Sequence, residues 1–417
     1  MTAERVGQGD EGPPRLGLAR AYLQCARVER IVWARTAVIA GSFAEESAVF
    51  VSAGGEVPPE QVPAALARLA AYGVLTREDG AADGSRAVRY RMGREAREFG
   101  GSRLRYAGES GIAMERFVIH CRYLAAVAEH LWSTGCRPQA VGLVREELEN
   151  LTAAMAQGRR DPEHAPAALE AAVSLWFWWV AQDDADAGLR ELLPLLRAAP
   201  ADGSVPAHAH YLAAWLMAGS DPEAAGRLLA TAWPQAVLDG DAATAGRIAQ
   251  VQGMLALHRG DEAGAAGEFA LASELIPPHA LGGPSRAVSL AALAFALAGS
   301  APAAARRAAH RALTAADTVD DAWGRCLARL SLAYVDHRQG RSSRAWRRVR
   351  RVLAEAGGSV PPPWGAEFAR RLIADIEQGR RRALDWSVLM TGTGSRRRAG
   401  WAETGSAALS DTASVRA

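Results

Sequence analysis

Between residues 215 and 356, apolar segments of helical length alternate with short polar turns, and one turn pattern returns four times. It reads Gly219-Ser220-Asp221-Pro222-Glu223-Ala224, Gly260-Asp261-Glu262-Ala263-Gly264-Ala265, Gly299-Ser300-Ala301-Pro302-Ala303-Ala304 and Gly340-Arg341-Ser342-Ser343-Arg344-Ala345. Each copy is Gly-x4-Ala, with successive glycines 41, 39 and 41 positions apart. The pattern predicts stacked helix–turn–helix pairs. Glycine supplies an unusual backbone angle at the turn, and alanine lets the second helix close on the first.

The patterning upstream is different. Residues 22–40 carry Val28, Ile31, Val32, Ala34, Val38 and Ile39 at helical spacing, and Gly41-Ser42 ends the run. A short helix follows over 45–52, and Pro58-Pro59 opens a third over 60–72 that stops at Gly73. Two extended runs, 74–76 and 87–92, flank a loop with Asp79-Gly80 and Asp83-Gly84 and predict a β-hairpin. Three helices and a hairpin make a winged-helix module. Amphipathic helices over 115–132 and 141–157 come next, separated by Ser133-Thr134-Gly135, and Asp161-Pro162 breaks the chain before the aromatic run Trp176-Phe177-Trp178-Trp179.

The second repeat, with Gly253, Ala265, Phe269, Ala272 and Pro277, resembles a tetratricopeptide repeat; the other copies are degenerate, and the period exceeds that repeat's usual length of about 34 residues. A wider resemblance runs over roughly 27–193. Ile39-Ala40-Gly41-Ser42-Phe43, Gly73-Val74-Leu75, Arg89-Tyr90-Arg91-Met92, His120-Cys121-Arg122-Tyr123-Leu124, Glu149-Asn150-Leu151-Thr152-Ala153-Ala154 and Leu175-Trp176-Phe177-Trp178 stand in the order found in large LuxR-type and SARP-type bacterial transcriptional regulators. These are STAND ATPases, and the similar part is their winged-helix and tetratricopeptide-like C-terminal region. The resemblance implies a sensor array behind a switch arm. It also implies a nucleotide-binding domain upstream and a DNA-reading helix-turn-helix downstream, for which no matching residues are found here. A stand-alone sensor and a truncated regulator both remain open.

Composition narrows the chemistry. All 48 Lys and Arg positions are Arg, so a Walker A phosphate loop, a Schiff-base lysine and a Ser–Lys dyad are excluded from this sequence. The net charge of +2 gives no whole-chain attraction to nucleic acid. Cys25, Cys121, Cys136 and Cys326 have no CxxC spacing, which with the polar N-terminus predicts a soluble cytoplasmic protein. The most apolar window, 171–181, is too short to cross a bilayer. HExxH and GxSxG are missing, and His208 and His210 would point to different helix faces. Glu146-Glu147 and Asp183-Asp184 read as caps and solvated charges. The expectation is a protein that is not an enzyme and has no catalytic residue, cofactor or metal site.

Two sets of residues are candidates for binding a partner. Arg344, Arg347, Arg348 and Arg351 fall at i, i+3, i+4 and i+7, along one helix face opposite Val349 and Val352. That face is either simply solvated or docks an acidic peptide or a nucleic-acid backbone. Trp176, Trp178 and Trp179 are either a stacking surface or a seal between the middle helices and the array. DNA contact through the winged helix would rest on Arg68, Arg86, Arg89 and Arg91, because the third helix otherwise offers Ala64, Ala65, Ala67, Ala70 and Ala71 to a groove.

The expected fold class is mainly α: a winged-helix module of three helices plus β-hairpin, then an α-solenoid of degenerate tetratricopeptide-like helix pairs. The expected organisation is a disordered N-terminus at 1–20, the winged helix at 21–104, a helical middle segment at 112–198, repeats at 206–378 and a disordered tail at 384–417, with 199–206 as linker. The leading function is a non-catalytic regulatory, signal-sensing protein that binds a protein partner or small effector through its repeats, away from membranes. The alternative is a DNA-binding transcriptional regulator acting through the winged helix and the arginine face.

Overall fold

In the computed structural model the described residues are 15–78, 88–181, 185–199, 204–356 and 363–380. The hairpin loop with Arg86, the Asp183-Asp184 pair, much of the linker and the tail from 381, with its arginines, lie outside them. The described chain is mainly helical. It falls into two compact units: residues up to 125 with 142–171, and 126–141 with residues from 172 onward.

The first unit opens with α1 (Arg15–Gln24), α2 (Arg27–Thr36), α3 (Glu45–Ser52) and α4 (Val62–Ala71). Residues 15–20, expected to lack structure, begin α1, which Leu18 ties to the interior at 1 % exposure. The run 22–40, expected as one helix, breaks at Cys25-Ala26. The Glu29 carboxylate accepts the Ala26 N–H at 2.7 Å, and the Arg30 guanidinium donates to the Tyr22 and Leu23 carbonyls at 2.8 and 3.0 Å. Both new helix ends are thereby satisfied, which apolar spacing alone does not reveal.

Strands β2 (Leu75–Glu78) and β3 (Arg89–Met92) pair antiparallel from Leu75↔Met92 to Glu78↔Arg89. A further strand, β1 (Phe43–Ala44), pairs with the other edge of β3 and gives the order β1-β3-β2. On α4 the exposed positions are Ala64, Ala67, Arg68 and Ala71, whereas Ala65 is buried. Helix α5 (Arg94–Tyr106) brings Gly100 against Trp33, where an added Cβ would come within 2.9 Å of the indole. The unit also holds most of α6 (Ser110–Ser133), α7 (Arg137–Arg160) and α8 (Ala165–Ser174).

In the second unit the aromatic segment is a separate short helix, α9 (Trp176–Ala181), followed by α10 (Ala185–Ala198). The array then runs as α11 (Ser204–Met217) with α12 (Pro222–Leu238), α13 (Ala242–His258) with α14 (Glu262–Leu275), α15 (Arg286–Ala296) with α16 (Pro302–Thr318), and α17 (Ala322–Arg338) with α18 (Ser342–Ala356). Helix α19 (Pro363–Glu377) follows. Successive helices pack on one another, and first helices of neighbouring pairs also meet, as α15 does α17. The result is a solenoid-like stack of helix pairs.

The four turns fall into two kinds that alternate along the array. Gly260 and Gly340 adopt φ of +79° and +78°, the next helix starts two residues later, and Ala265 and Ala345 are fully buried. Gly219 and Gly299 are not left-handed; there Pro222 and Pro302 start the helix three residues on, and the buried methyls are Ala225 and Ala305. The extra residue removes the need for a left-handed turn and shifts the packing alanine by one. The stated role of glycine therefore holds in two copies and gives way to a longer, proline-started turn in the other two. Gly253 is small for a different reason: a Cβ there would sit 2.6 Å from the Phe269 ring.

Since nothing lies within 4 Å of a Cβ built on Gly260, Gly260→Val acts on the backbone alone. A β-branched residue forced left-handed costs about 2 kcal/mol. Ala67→Ser on the exposed face of α4 changes stability by less than about 0.5 kcal/mol. Calorimetry of both variants should show the array's transition several degrees lower in the first only; equal melting temperatures would refute this account of the turn.

Candidate functional site

The arginine face of α18 lines a cavity. Arg344, Arg347, Arg348 and Arg351 meet Arg329 and Leu332 of α17 and Leu313 of α16 around about 580 Å³. Val349 and Val352 on the opposite side are buried, so packing fixes which way the arginines face. Beneath them lies Asp336, 3 % exposed, which the sequence did not single out. Its carboxylate accepts from Arg341 and Arg348 at 3.0 Å each, and Arg306 and Arg344 stand at 3.4 and 3.8 Å. Arg347 donates to the Ser343 carbonyl at 3.4 Å, a neutral partner, and both Arg347 and Arg351 are exposed. Every polar side chain lining this cavity is a hydrogen-bond donor carrying positive charge.

The tryptophans of α9 are covered. Trp176, Trp178 and Trp179 are 2, 8 and 3 % exposed, and the Trp179 indole N–H donates to the Ala172 carbonyl at 2.8 Å. Trp176 stacks on Trp215 and Trp323 with ring centres 6.4 and 5.9 Å away, and Trp132 stacks on Phe177 at 4.7 Å. Trp176 edges a cavity of about 290 Å³ together with Trp132, Trp323 and the Arg137–Asp321 ion pair. The segment between α14 and α15 closes its floor. Tyr211 donates to the Gly282 carbonyl at 3.2 Å, Arg247 to that of Leu281 at 2.7 Å, and Glu129 accepts the Gly282 N–H. Burial raises the Glu129 pKa against these partners; burial and then the Arg247 charge push His208 down to about 3. One sequence signal for this knot was available: Arg247 is a charge in the middle of an otherwise apolar helix face, and it is 1 % exposed.

The described arginines proposed for DNA contact already have acidic partners. Arg89 is mostly buried, 2.7 Å from Glu147, and donates to the Ser42 carbonyl at 2.7 Å. Arg91 pairs with Glu78 and Glu149 at 2.9 and 3.2 Å, and the exposed Arg68 lies 3.4 Å from Glu29. Arg86 falls outside the described residues. Asn150 links the same region, accepting the Gly41 N–H at 2.7 Å and donating to the Ser42 carbonyl at 2.8 Å and to Glu147 at 2.7 Å.

His120, 7 % exposed, bonds through Nε2 to Ser47 Oγ at 2.9 Å, and its Nδ1 has no partner. Burial lowers its pKa to about 4. The folded state therefore holds the ring neutral where the unfolded chain, titrating near 6.5, takes up a proton. The sign is fixed: this contribution is complete above pH 6.5 and is lost as pH falls towards 4. Denaturant titrations at pH 7.5 and 5 should show the first unit losing about 2 kcal/mol, before most carboxylates titrate; a His120→Gln chain with the same loss would disprove the assignment.

Among the described residues no cluster of three His, Cys, Asp or Glu could hold a metal, and no helix is long and apolar enough to cross a membrane. No family model matches the chain, and no curated protein matches it. A solved structure of a signal transduction ATPase with numerous domains, carrying a tetratricopeptide repeat sensor, from Pyrococcus horikoshii, is similar at 14 % identity. The match covers 97 % of this chain and 67 % of that one with a TM-score of 0.29, too loose a superposition to carry functional weight.

Proposed function

We propose that this chain is a non-catalytic regulatory protein whose helix-pair array senses a signal by binding a ligand, a protein or a small effector. The observation that carries the proposal is the α18 arginine face: four side chains on one helix converge with Arg329 on a single cavity of ligand size. In this reading α2, α3, α4 and the β2–β3 hairpin act as a winged-helix relay of the LuxR- and SARP-type regulators, not as their DNA reader. The protein works in the cytoplasm, a reading supported by four free thiols. The array is the sensor; the first unit passes the state on.

The competing reading, a DNA-binding regulator, needs unpaired cations beside the hairpin. Glu147, Glu78, Glu149 and Glu29 stand against it by occupying Arg89, Arg91 and Arg68. Electrophoretic mobility with random duplex separates the two. The expected result is no shift at micromolar protein and physiological salt. Tight binding that weakens steeply with added salt would replace the sensor reading with the DNA-binding one.

A further inference from the structure

The lining of the α18 cavity restricts the chemistry of its occupant. Its side chains are five guanidinium groups and two leucines. Guanidinium has N–H donors and no acceptor. An extended peptide brings backbone N–H groups, and a sugar brings hydroxyl protons, that would lose water here without a side-chain acceptor to receive them; burying such donors is costly. A ligand made only of acceptors meets no such penalty. From Arg344 to Arg351 the guanidinium-bearing positions extend about 10 Å along the helix, at 1.5 Å per residue. This is a ladder of charge rather than a single point. The carboxylate of Asp336 lies beneath the ladder and engages Arg344 and Arg348 from below, leaving Arg347 and Arg351 without an acidic partner among the described interactions. A volume of about 580 Å³ suits a compact molecule more than a long groove ligand.

We infer that this cavity binds an oligophosphate chain, with phosphoryl oxygens taking paired N–H donors from Arg347, Arg351 and their neighbours. The inference rests on the reading of the array as a ligand-binding sensor and specifies the ligand. Acceptor-only oxygens match the donor-only wall, and charge on every link of the chain matches the ladder. Leu313 and Leu332 provide the apolar part of the wall, so the phosphate chain can be inorganic or belong to a nucleotide.

Titration calorimetry on the full chain tests this with tripolyphosphate, ATP, orthophosphate, an octaglutamate peptide and random duplex DNA. The variants are Arg347→Glu/Arg351→Glu, at two exposed positions, and Arg94→Glu as a control in the first unit, where that side chain is 90 % exposed. Tripolyphosphate should bind one to one and at least tenfold more tightly than orthophosphate. The double variant should weaken it tenfold or more while its circular dichroism and melting curve stay unchanged, and the control should not weaken it. Equal affinity for ATP and tripolyphosphate would assign recognition to the phosphate chain alone; tighter ATP binding would place the nucleoside on the leucines. Either result supports the inference. If octaglutamate binds and is lost in the double variant while tripolyphosphate does not bind, the oligophosphate inference falls and the ligand-binding array stands; if duplex alone behaves so, the inference falls together with the sensor reading, in favour of the DNA-binding one. Silence from all five ligands would overturn the inference and remove the arginine cavity as the support for a sensor. Tripolyphosphate binding unchanged in the double variant would overturn the site.

Discussion

Asp336→Asn lowers the melting temperature of the array by about 6–12 °C and at the same time tightens oligophosphate binding. The first effect follows from what surrounds the carboxylate. It is 3 % exposed, and Arg306, Arg341, Arg344 and Arg348 all lie within 4 Å of it. Removing the charge of a buried hub costs about 3–5 kcal/mol when its partners are buried too. Here the four arginine side chains are 33–59 % exposed and partly recover water, which places the cost near the lower figure, about 3 kcal/mol. For a unit of this size each kcal/mol moves the transition by about 2–4 °C. The second effect has the opposite sign because the cavity loses the charge of Asp336, and Arg344 and Arg348 become available to a ligand. The matched control is Asp317→Asn, whose 2.8 Å pair with Arg325 is 64 % exposed on the acidic side and worth less than about 0.5 kcal/mol. Scanning calorimetry with and without tripolyphosphate reads both effects. A melting temperature unchanged from the parent would mean that Asp336 does not hold the ladder, and weaker binding would mean that its positioning of the arginines outweighs its charge.

This pairing marks the limit of what the sequence discloses. The four arginines were visible because their relation is local: i, i+3, i+4 and i+7 share a helix face whatever else the chain does. Asp336 belongs to the preceding helix and meets them only after α17 and α18 pack, so no spacing rule points to it. The same holds for the second cavity. Trp176 was conspicuous in its aromatic run, but Trp132 and Trp323, which complete the wall, stand far away along the chain. Sealing was one of two readings open for that run, and burial of Trp178 and Trp179 agrees with it while leaving Trp176 at a cavity edge.

The helix pairs were legible because two constraints recur, a turn and a small residue behind it. What could not be read was that proline at Pro222 and Pro302 changes the turn length and so shifts the alanine that packs. Strand β1 escaped for a related reason. Two residues, Phe43–Ala44, carry no period, and they are extended only because β3 offers a free edge. The α1–α2 break was hidden because Glu29 and Arg30 look like ordinary solvated charges until their backbone partners are known.

Asn150 shows how much one such hidden contact can hold. Its amide carries three hydrogen bonds, from the Gly41 N–H, to the Ser42 carbonyl and to the Glu147 carboxylate, all at 2.7–2.8 Å and in a residue 3 % exposed. A Cβ on Gly41 would come within 3.2 Å of the Asn150 oxygen, so the turn and the amide fit each other closely. Asn150→Ala leaves the Gly41 N–H buried without its partner, while the Ser42 carbonyl keeps its bond from Arg89, and should cost about 1–3 kcal/mol in the first unit. Asn150→Asp keeps the shape and the acceptor for Gly41, but it replaces the donating nitrogen with an oxygen facing both the Ser42 carbonyl and Glu147. At pH 7 this variant should be less stable than the alanine one, since two carboxylates repel where a hydrogen bond stood. As pH falls and the new acid takes a proton it can donate again, and the gap between the variants should close. Chemical denaturation of both chains at pH 7 and near pH 4.5 reads the order directly. An aspartate variant more stable than alanine at neutral pH would mean that the amide nitrogen contributes nothing, leaving the Gly41 contact and the Arg89 bridge from Ser42 to Glu147 to join the 41–42 turn to α7.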